Sequence, residues 1–598
     1  MRIAFKFHYI HDNGLFTRLL HHIDELSDIS LSLYQQDNHY TIEAEGEQGE
    51  LEALAEQISL LVPRSLFLRD HKIEAVEKEG NDRMMDTLPK QNVSFAIPYC
   101  LECQKNVIRT FDPFISCSVC GFSEILLTMD DLALHAGTDT TNEDFFLQLT
   151  DSLLKKKKIT LPTYNGLRTF SLLNSIDKGN GILVSDPSHL SDRFLITQGE
   201  LDALMMIEKP SVRLKPKLKF RAEYELDKPF YPVFFADDKI TLAFSTALKK
   251  KGIEAVFCDH VPALRVVSAL EQHLIISPGR DILPYKVNFP LSHPSYTEYA
   301  GFQAYGNANG LLVSTDLDLK DKPHIRYVAN EERTEVVNAI RYEPAHAAMR
   351  SVVIEHSLKD KALSGIYLSK EHPSHIFSFS SKIGYTSMVL FKDEEIRQPR
   401  QMLEAIASMD DRGVRLVNNF KDQFPELYQK IERTEFTKHT DITGIAKIWA
   451  FAAVFIGLYY GDDACIASEI LESTAIEFSG KSGPRIDYKV ISTNDGYQLD
   501  PRLAIRSAMS FKLAGLDDYL LSFGFIDSLS DFIAQQAENA DANIGINGVV
   551  LSGSLFENRQ LLMRAYNALS VNYPIYRNER LSIDHVNVAL GAITLGSE

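Results

Sequence analysis

The first eighty residues alternate between segments typical of strands and segments typical of helices. Strand-like segments place apolar side chains at every second position, and helical ones repeat them every three or four residues. The segments are residues 2–9 (strand), 16–26 (helix), 32–44 (two strands with a turn at 36–38), 51–61 (helix) and 72–77 (strand). This order of elements predicts a small ferredoxin-like α+β domain.

The remainder of the chain has the pattern of mixed α/β structure. After a polar linker at 78–94, helical spacing appears at 142–155, and strand-like pieces lie among helices from about residue 295 onward. Those pieces are residues 310–313, 351–354, 386–391 and 548–551, and a helix is predicted at 559–570. At about 150 residues per domain, the 598 residues suggest about four domains.

Charge and hydropathy exclude several classes of protein. The chain carries 62 lysines and arginines against 81 aspartates and glutamates, a net charge of −19. We therefore expect no sequence-independent binding to nucleic acid or to anionic membranes. The longest apolar run, residues 448–460, is shorter than the ~20 residues of a membrane span and predicts a buried helix. The N-terminal residues do not resemble a signal peptide, so a cytoplasmic protein is expected.

Four of the six cysteines form two Cys-x-x-Cys pairs, Cys100 with Cys103 and Cys117 with Cys120. Two such pairs can supply four thiolates in the tetrahedral geometry of structural zinc, and the residues between them can form a hairpin. The spacing predicts a zinc ribbon over residues 95–126 without catalytic function, because four sulfurs leave no open position. The alternative is a set of buried thiols without metal.

Near the C-terminus an apolar strand leads into a turn of small residues and then into a helix, with the sequence GVVLSGSLFENR at 548–559. Small residues at such a turn let backbone N–H groups approach a phosphate. The turn at 552–554 is therefore a candidate phosphate site, although many α/β units have a similar turn without a ligand. Further on, Asp584 is a candidate helix N-cap, and a ligand role for Asp584 or His585 is the alternative.

Several segments resemble the hydrogenase maturation carbamoyltransferase family, HypF. Residues 548–562 (GVVLSGSLFENRQLL) are similar to the family's LSGGVFQNRLL, and residues 588–591 (VALG) to its LSLG end. Residues 159–170 (ITLPTYNGLRTF) are similar to its VAVKGLGGFHL, and residues 202–217 to its ALLESPRRPIVLLRRR. The resemblance extends over nearly the whole chain and is faint between these segments.

The resemblance implies a multidomain α/β and α+β architecture. The implied domains are an acylphosphatase-like ferredoxin-like domain (1–80), a zinc ribbon (95–126), a shortened YrdC-like α/β domain (127–294) and a TsaD-like domain of the actin/sugar-kinase fold (295–598). In the family, carbamoyl phosphate and ATP yield carbamoyl adenylate, and the carbamoyl group passes to the C-terminal cysteine of the partner HypE. The expected ligands are thus zinc, ATP, a divalent metal and carbamoyl phosphate, with a HypE-like partner.

The same resemblance implies site residues. It places Gly553 and Ser554 near the phosphates and Asn558 near the nucleotide. It also implies a divalent-metal site formed by His346, Asp584 and His585, and makes Arg18 and His346 candidate catalytic residues.

Family motifs are altered in each of the four implied domains. In NGLFTRLL (13–20), Thr17 stands where the family has its acylphosphatase arginine, and Arg18 comes one residue late, a rotation of about 100° on a helix. The KxR and SxN motifs of the YrdC-like domain are missing after Phe170. The family's HxxxH matches YEPAH (342–346), which retains only His346, and an aspartate of its DGIGYG motif falls near Ser381. Only one of two zinc-finger cysteine sets is present, and the aspartate of GRLFDAV is replaced near residues 449–450.

Three hypotheses follow from these matches and departures. The first is an active carbamoyltransferase with a diverged site. The second is a non-catalytic relative that keeps the scaffold to bind a maturation partner or nucleotide, favoured because four sites are altered together. The third is a zinc-ribbon tRNA-modification protein of the threonylcarbamoyl type, which the charge of −19 disfavours.

Overall fold

The structure is a computed structural model of two compact units. It describes residues 1–10, 14–76, 97–122, 127–136, 142–164, 166–262, 264–270, 272–276, 296–299, 302–307, 310–314, 343–391, 396–494, 496–585, 587–588, 591 and 595. The first unit comprises Met1–Leu226, Tyr231–Val266 and Ile282–Glu298. The second comprises Asp227–Phe230, Val267–Asp281 and Tyr299–Glu598. The predicted linker at 78–94 lies outside the described residues.

The N-terminal domain of the first unit has the predicted ferredoxin-like order. Its elements are β1 (Arg2–Tyr9), α1 (Leu15–Leu26), β2 (Leu31–Gln36), β3 (His39–Glu45), α2 (Gln48–Leu61) and β4 (Leu68–Ala75). The four strands form an antiparallel sheet in the order β2–β3–β1–β4. Phe5 and Phe7 of β1 are buried, as are Leu20 and Ile23 of α1 and Leu54 of α2. The alternation seen in residues 2–9 is therefore the alternation of a sheet covered on one face.

A mixed α/β layer makes up the rest of the first unit. Its elements are α3 (Leu101–Thr110), α4 (Met129–Ala136), α5 (Asn142–Lys156), β5 (Lys158–Thr163), β6 (Gly166–Leu172), β7 (Gly181–Val184), α6 (Leu190–Arg193), β8 (Phe194–Leu195), α7 (Gln198–Met205), β9 (Ser211–Pro216), α8 (Leu218–Glu223), β10 (Tyr231–Phe234), α9 (Lys239–Lys250), β11 (Ala255–Cys258) and β12 (Arg265–Ala269). The strands follow the order β12–β9–β10–β7–β11–β6–β5, with β8 paired to β9. Phe146 and Leu153 of α5 and Phe244 of α9 belong to the core beside this sheet.

The second unit combines a seven-stranded sheet with many helices. Its elements are β13 (Gln272–Ile276), β14 (Tyr296–Tyr299), β15 (Phe302–Asn307), β16 (Gly310–Ser314), α10 (Pro344–Glu355), β17 (Leu363–Tyr367), β18 (His375–Ser380), β19 (Gly384–Leu390), α11 (Pro399–Ala407), α12 (Asp411–Gln423), α13 (Pro425–Arg433), α14 (Gly444–Phe455), α15 (Ala464–Ile476), β20 (Lys489–Thr493), β21 (Gly496–Asp500), α16 (Pro501–Leu513), α17 (Asp518–Ile544), β22 (Gly548–Ser552), α18 (Arg559–Ser570) and β23 (Ile575–Tyr576). The sheet order is β20–β21–β19–β18–β17–β22–β23, and β17 lies parallel to β22.

The apolar run at 448–460 begins inside α14, the most buried helix of the second unit. Every residue from Ile448 to Phe455 is at most 4% exposed. The Trp449 indole N–H donates to the Tyr488 hydroxyl at 3.1 Å. The prediction of a buried helix is thus confirmed for residues 448–455, whereas the rest of the run lies in the turn after the helix. Among the described residues no helix is both long and apolar enough to cross a membrane.

One strand prediction is wrong. Residues 351–354 (SVVI) lie in α10 and not in a strand. Pro344 opens this helix at its first turn, where a missing N–H is tolerated, and Ala345, Ala347 and Ala348 favour helix. The helix packs on β17 and β22 with Val352 and Val353 buried, so tertiary packing outweighs the strand preference of the β-branched run.

Candidate functional site

The four clustered cysteines lie together at the start of α3 and in the turn that follows it. Their sulfur atoms all lie within 4.8 Å of one another, and the closest pairs, Cys100 with Cys117 and Cys103 with Cys120, are 3.6 Å apart. Zn–S bonds of about 2.3 Å in a tetrahedron place sulfurs about 3.8 Å apart, which fits this cluster. All four side chains are buried, so the cluster is suited to a structural zinc ion.

The segment between the two pairs is helical. Cys100 is the N-cap of α3, and its sulfur accepts the N–H of Cys103 at 3.4 Å. The second pair forms a tight knuckle in which Gly121, at φ 72°, donates its N–H to the carbonyl of Cys117 at 2.9 Å. The expected hairpin is therefore wrong, because an N-capped and amphipathic α3 occupies those residues. The predicted cysteine cluster is confirmed.

Arg18 contacts this knuckle. Its guanidinium donates to the carbonyl of Ser118 at 2.9 Å. Ser118 lies between Cys117 and Cys120 in the knuckle. The preceding Gly14 caps α1 with φ 76°, and residues 11–13 lie outside the described part of the chain. Arg18 is thereby engaged by backbone of the cysteine knuckle, and its predicted acylphosphatase role stays a prediction.

Sequence reasoning missed a buried ion pair in the α/β layer. Arg168 of β6 and Asp237 are joined by two parallel hydrogen bonds of 2.5 and 2.7 Å, and their side chains are 3% and 6% exposed. Burial by itself would lower the pKa of Arg168, but the charge of Asp237 raises it. Burial and Asp237 together raise the pKa of the adjacent Asp238. The similarity of 159–170 to a family segment was the only signal near this pair.

Other cations of this layer also have protein partners. Lys239 donates to the Ile115 carbonyl at 2.6 Å and lies 3.7 Å from the centre of the Phe122 ring. A cavity of about 270 Å³ on this unit is lined by Arg193, whose guanidinium pairs with Glu223 at 3.0 Å and with Glu254 at 3.2 Å. These positive charges are already neutralised or hydrogen-bonded without a ligand.

The predicted strand–turn–helix at the C-terminus is present as β22, a short 3₁₀ turn at Ser554–Glu557, and α18. Gly553 has φ 108°, and a Cβ there would lie 2.1 Å from the carbonyl oxygen of Leu368. Only glycine permits this close approach of the turn to the backbone that follows β17.

The N–H groups of the turn are engaged within the protein. Gly553 donates to the Ile583 carbonyl at 2.7 Å. Ser554 donates to the Asp584 carboxylate at 2.8 Å, and Leu555 donates to the Leu368 carbonyl at 3.0 Å. In this conformation all three N–H groups donate to protein acceptors, and the predicted phosphate contacts at Gly553 and Ser554 stay predictions.

Asp584 organises this junction. Its carboxylate accepts the Tyr367 hydroxyl at 2.6 Å, the Ser369 hydroxyl at 2.8 Å, and the N–H groups of Ser554 at 2.8 Å and His585 at 3.0 Å. Burial by itself would raise the pKa of Asp584. The nearby imidazoles and these hydroxyls outweigh burial and lower it to about 2. Because a carboxylate has about four lone-pair sites, this one is saturated by the protein.

The strand end beside Asp584 carries a serine. Ser369 follows β17 and contacts Asp584, whereas Ser381 lies exposed in the turn between β18 and β19. The match of Ser381 to the family's aspartate stays a prediction. Nearby, Lys370 pairs with the buried Glu557 at 2.9 Å.

Asn558 serves as a helix cap. Its side-chain oxygen accepts the Leu561 N–H at 2.9 Å, while its Nδ2 is buried without a hydrogen-bond partner among the described residues. The predicted nucleotide contact at Asn558 stays a prediction.

The predicted second metal site is divided between two clusters. His346 lies with Glu343 and His375, whereas Asp584 and His585 lie with His372, and in each cluster one donor atom per residue lies within 4.8 Å of the others. Tyr342, the other residue matched to HxxxH, lies outside the described residues.

Burial and the neighbouring His375 lower the pKa of His346 to about 4, and burial lowers the pKa of His372. Both imidazoles are therefore neutral near pH 7, the form in which histidine binds metals. Sequence reasoning missed two histidines of these clusters, His372 in the loop after β17 and His375 at the first position of β18.

These features define a multidomain carbamoyltransferase fold of the HypF type. Residues 458–592 match the family model described as the carbamoyltransferase, Kae1-like domain, second subdomain, of HypF. The predicted resemblance to the HypF family is thus confirmed.

Solved HypF structures and one curated relative extend the likeness to the rest of the chain. A full-length HypF in its phosphate- and nucleotide-bound form superposes with a TM-score of 0.58 at 16% identity, covering 100% of this chain and 98% of that one. T. kodakarensis HypF gives a TM-score of 0.61 at 12% identity, covering 100% and 99%. Protein HydE of Wolinella succinogenes is 26% identical over 532 residues, 86% of this chain and 87% of its own.

Proposed function

We propose that this chain is a cytoplasmic HypF-like protein of [NiFe]-hydrogenase maturation that no longer transfers carbamoyl groups and acts by binding a maturation partner. The observation that carries the proposal is the closed C-terminal turn, where Gly553, Ser554 and Leu555 donate their N–H groups to protein acceptors. A phosphate-binding turn needs such groups free and directed at the anion.

The α/β layer supports the same proposal. Formation of an acyl adenylate from ATP needs cations that neutralise the triphosphate. Arg168 is instead held by Asp237 in a buried bidentate pair, and Arg193 is paired with two glutamates. Removal of one electrostatic donor from an active site typically lowers the rate by about 10²–10³. Simultaneous engagement of several cations therefore leaves little adenylating activity.

The junction around Asp584 also supports the proposed loss of carbamoyl transfer. At the junction where the resemblance implies a divalent ion, the lone pairs of Asp584 are filled by four donors, one of them the Ser369 hydroxyl. What remains is a scaffold with a HypF-like fold. The partner class that fits such a scaffold is a HypE-like maturation protein, the acceptor implied by the family resemblance.

The decisive experiment is carbamoyl-phosphate-dependent ATP–pyrophosphate exchange by the purified full-length chain, with its zinc content measured in the same sample. A catalytically competent HypF serves as the positive control. We expect no exchange above background from folded, zinc-loaded protein. Exchange at a rate within tenfold of the control would overturn the proposal.

Partner binding is tested separately, by calorimetric titration of the same sample with a HypE-type protein. We expect saturable binding that is unaffected by carbamoyl phosphate and ATP. An absence of binding at micromolar concentrations would refute the scaffold role, even if exchange is also absent.

A further inference from the structure

We propose that the cysteine knuckle at 117–122 is a zinc-dependent latch that holds the ferredoxin-like domain to the α/β layer of the first unit. The domain contacts the knuckle through Arg18, and the layer contacts it through Lys239. Loss of the metal therefore releases the domain at this contact. The inference does not depend on whether the chain transfers carbamoyl groups.

The ferredoxin-like domain reaches the knuckle through the start of α1. Leu15 and Leu19, each 1% exposed, belong to the same buried cluster as the four cysteines. Arg18, on the same turn, donates from its guanidinium to the Ser118 carbonyl at 2.9 Å. A charged donor makes a stronger hydrogen bond than a neutral one. Both apolar packing and a directed hydrogen bond thus join α1 to the cysteine-bearing segment.

The α/β layer holds the same segment through one lysine and one tyrosine. Lys239, the first residue of α9, donates to the Ile115 carbonyl at 2.6 Å and lies over the Phe122 ring. Ile115 and Phe122 flank the knuckle in the chain, so this one side chain holds both of its ends. The Tyr99 hydroxyl, next to the first cysteine, donates to the Ala236 carbonyl at 2.7 Å.

The metal fixes the shape of the knuckle on which these contacts depend. Gly121 donates its N–H to the Cys117 carbonyl, and Cys117 donates its own N–H to the Phe122 carbonyl, both at 2.9 Å. Small cysteine sites of this kind fold together with their ion. Without the ion, four neighbouring thiolates repel one another. The Ser118 and Ile115 carbonyls then lose the positions in which they accept Arg18 and Lys239.

A second joint connects the same two parts and contains no cysteine. The Ile207 N–H donates to the Arg64 carbonyl at 3.0 Å, and the Leu66 N–H donates to the Glu208 carboxylate at 3.1 Å. The Ser65 hydroxyl also donates to Glu208. This joint does not involve the metal. Zinc loss therefore opens the contact at α1, while the second joint stays closed and acts as the hinge.

The test is the distance between the two parts of the full-length chain, measured by pulsed electron paramagnetic resonance. Spin labels attached through unnatural amino acids at the exposed Glu56 of α2 and Lys219 of α8 leave every cysteine free. We expect one narrow distance distribution with zinc bound. Chelation should broaden it toward longer distances, and added zinc should restore it. An unchanged distribution after complete removal of zinc would overturn the proposal.

Hydrogen exchange separates release of the domain from unfolding. After chelation, exchange should accelerate in the first turn of α1 and in the knuckle. The sheet β2–β3–β1–β4 and the joint at 64–66 should keep their protection. Loss of protection throughout the first unit would overturn the proposal, because zinc would then serve folding in general.

The variant Arg18→Ala tests the latch with the metal in place. It should retain its zinc, but exchange in the first turn of α1 should be about three- to tenfold faster, because one hydrogen bond of a charged donor is lost. Arg64→Ala is the matched control, since the Arg64 side chain pairs with Asp202 at 3.2 Å beside the second joint. Equal exchange in the two variants would overturn the proposal. This comparison needs no chelation, so it decides the matter even if the metal-free protein aggregates.

Discussion

Asp584 accepts the backbone N–H of Ser554 at 2.8 Å and thereby closes the turn that follows β22. The two residues are 30 positions apart in the chain. Where a phosphate oxygen would otherwise receive this N–H group, the protein supplies a buried carboxylate of its own. The negative charge that the turn favours is therefore part of the fold.

Replacement of Asp584 by asparagine should lower the free energy of unfolding at pH 7 by about 2 kcal/mol or more, because an amide cannot accept all four hydrogen bonds. The folded-state pKa of about 2 lies below the ordinary value. The stabilisation is thus complete above about pH 4 and is lost as the pH falls towards 2. Urea unfolding across this range should show the difference between Asp584→Asn and the unmodified protein shrinking with acid.

The exposed Asp487 provides the control for that series. Asp487→Asn should leave the unfolding free energy within about 0.5 kcal/mol at every pH. A difference for Asp584→Asn that stays constant down to pH 2 would contradict the role assigned to its charge.

Gly553→Ala should destabilise the second unit by about 2–4 kcal/mol, since the added Cβ meets backbone that cannot move aside and φ is positive. Gly515→Ala is the matched control, because Gly515 has φ 82° with nothing within 4 Å of the added atom. Its expected cost is about 1 kcal/mol, from backbone conformation alone. Thermal unfolding of both variants measures the contrast, and equal losses would show that the close approach to Leu368 is not important.

The buried Arg168–Asp237 pair should respond to mutation asymmetrically. Asp237→Asn leaves a buried guanidinium without its counter-charge and should lower the unfolding free energy by about 3–5 kcal/mol. Arg168→Met combined with Asp237→Leu removes both charges and should recover most of that loss. The solvent-exposed pair Arg64–Asp202 is the comparison, and Asp202→Asn should change the unfolding free energy by less than about 1 kcal/mol.

Loss of one cysteine ligand should release the structural metal. Cys117→Ser is expected to reduce bound zinc at the cysteine cluster and to lower the unfolding free energy by at least about 3 kcal/mol, because metal binding and folding of such sites are coupled. Cys465→Ser, at a half-buried cysteine outside the cluster, should leave the zinc content unchanged. Elemental analysis and thermal unfolding test both statements, and a Cys117→Ser protein that retains its zinc would contradict the assigned ligand.

Local sequence determined much of this protein. The two Cys-x-x-Cys pairs, the ferredoxin-like order of residues 1–80, the buried α14 and the strand–turn–helix around Gly553 all follow from spacing within about ten to twenty residues. Hydrophobic period and turn chemistry act over that range, so the sequence alone predicts them. Gly553, which has a positive φ, can also be located from the sequence, because it directly follows an apolar strand.

Only the tertiary structure decided which groups meet. The N–H groups of Gly553 and Ser554 find acceptors at Ile583 and Asp584, and His346 lies with His375 and not with Asp584. These contacts join residues that are about 30 or more positions apart, and no short-range pattern encodes them. Residues 351–354 are helical because burial against β17 and β22 outweighs the strand preference of a few β-branched residues. Whether a turn binds a ligand or its own chain depends on such distant partners.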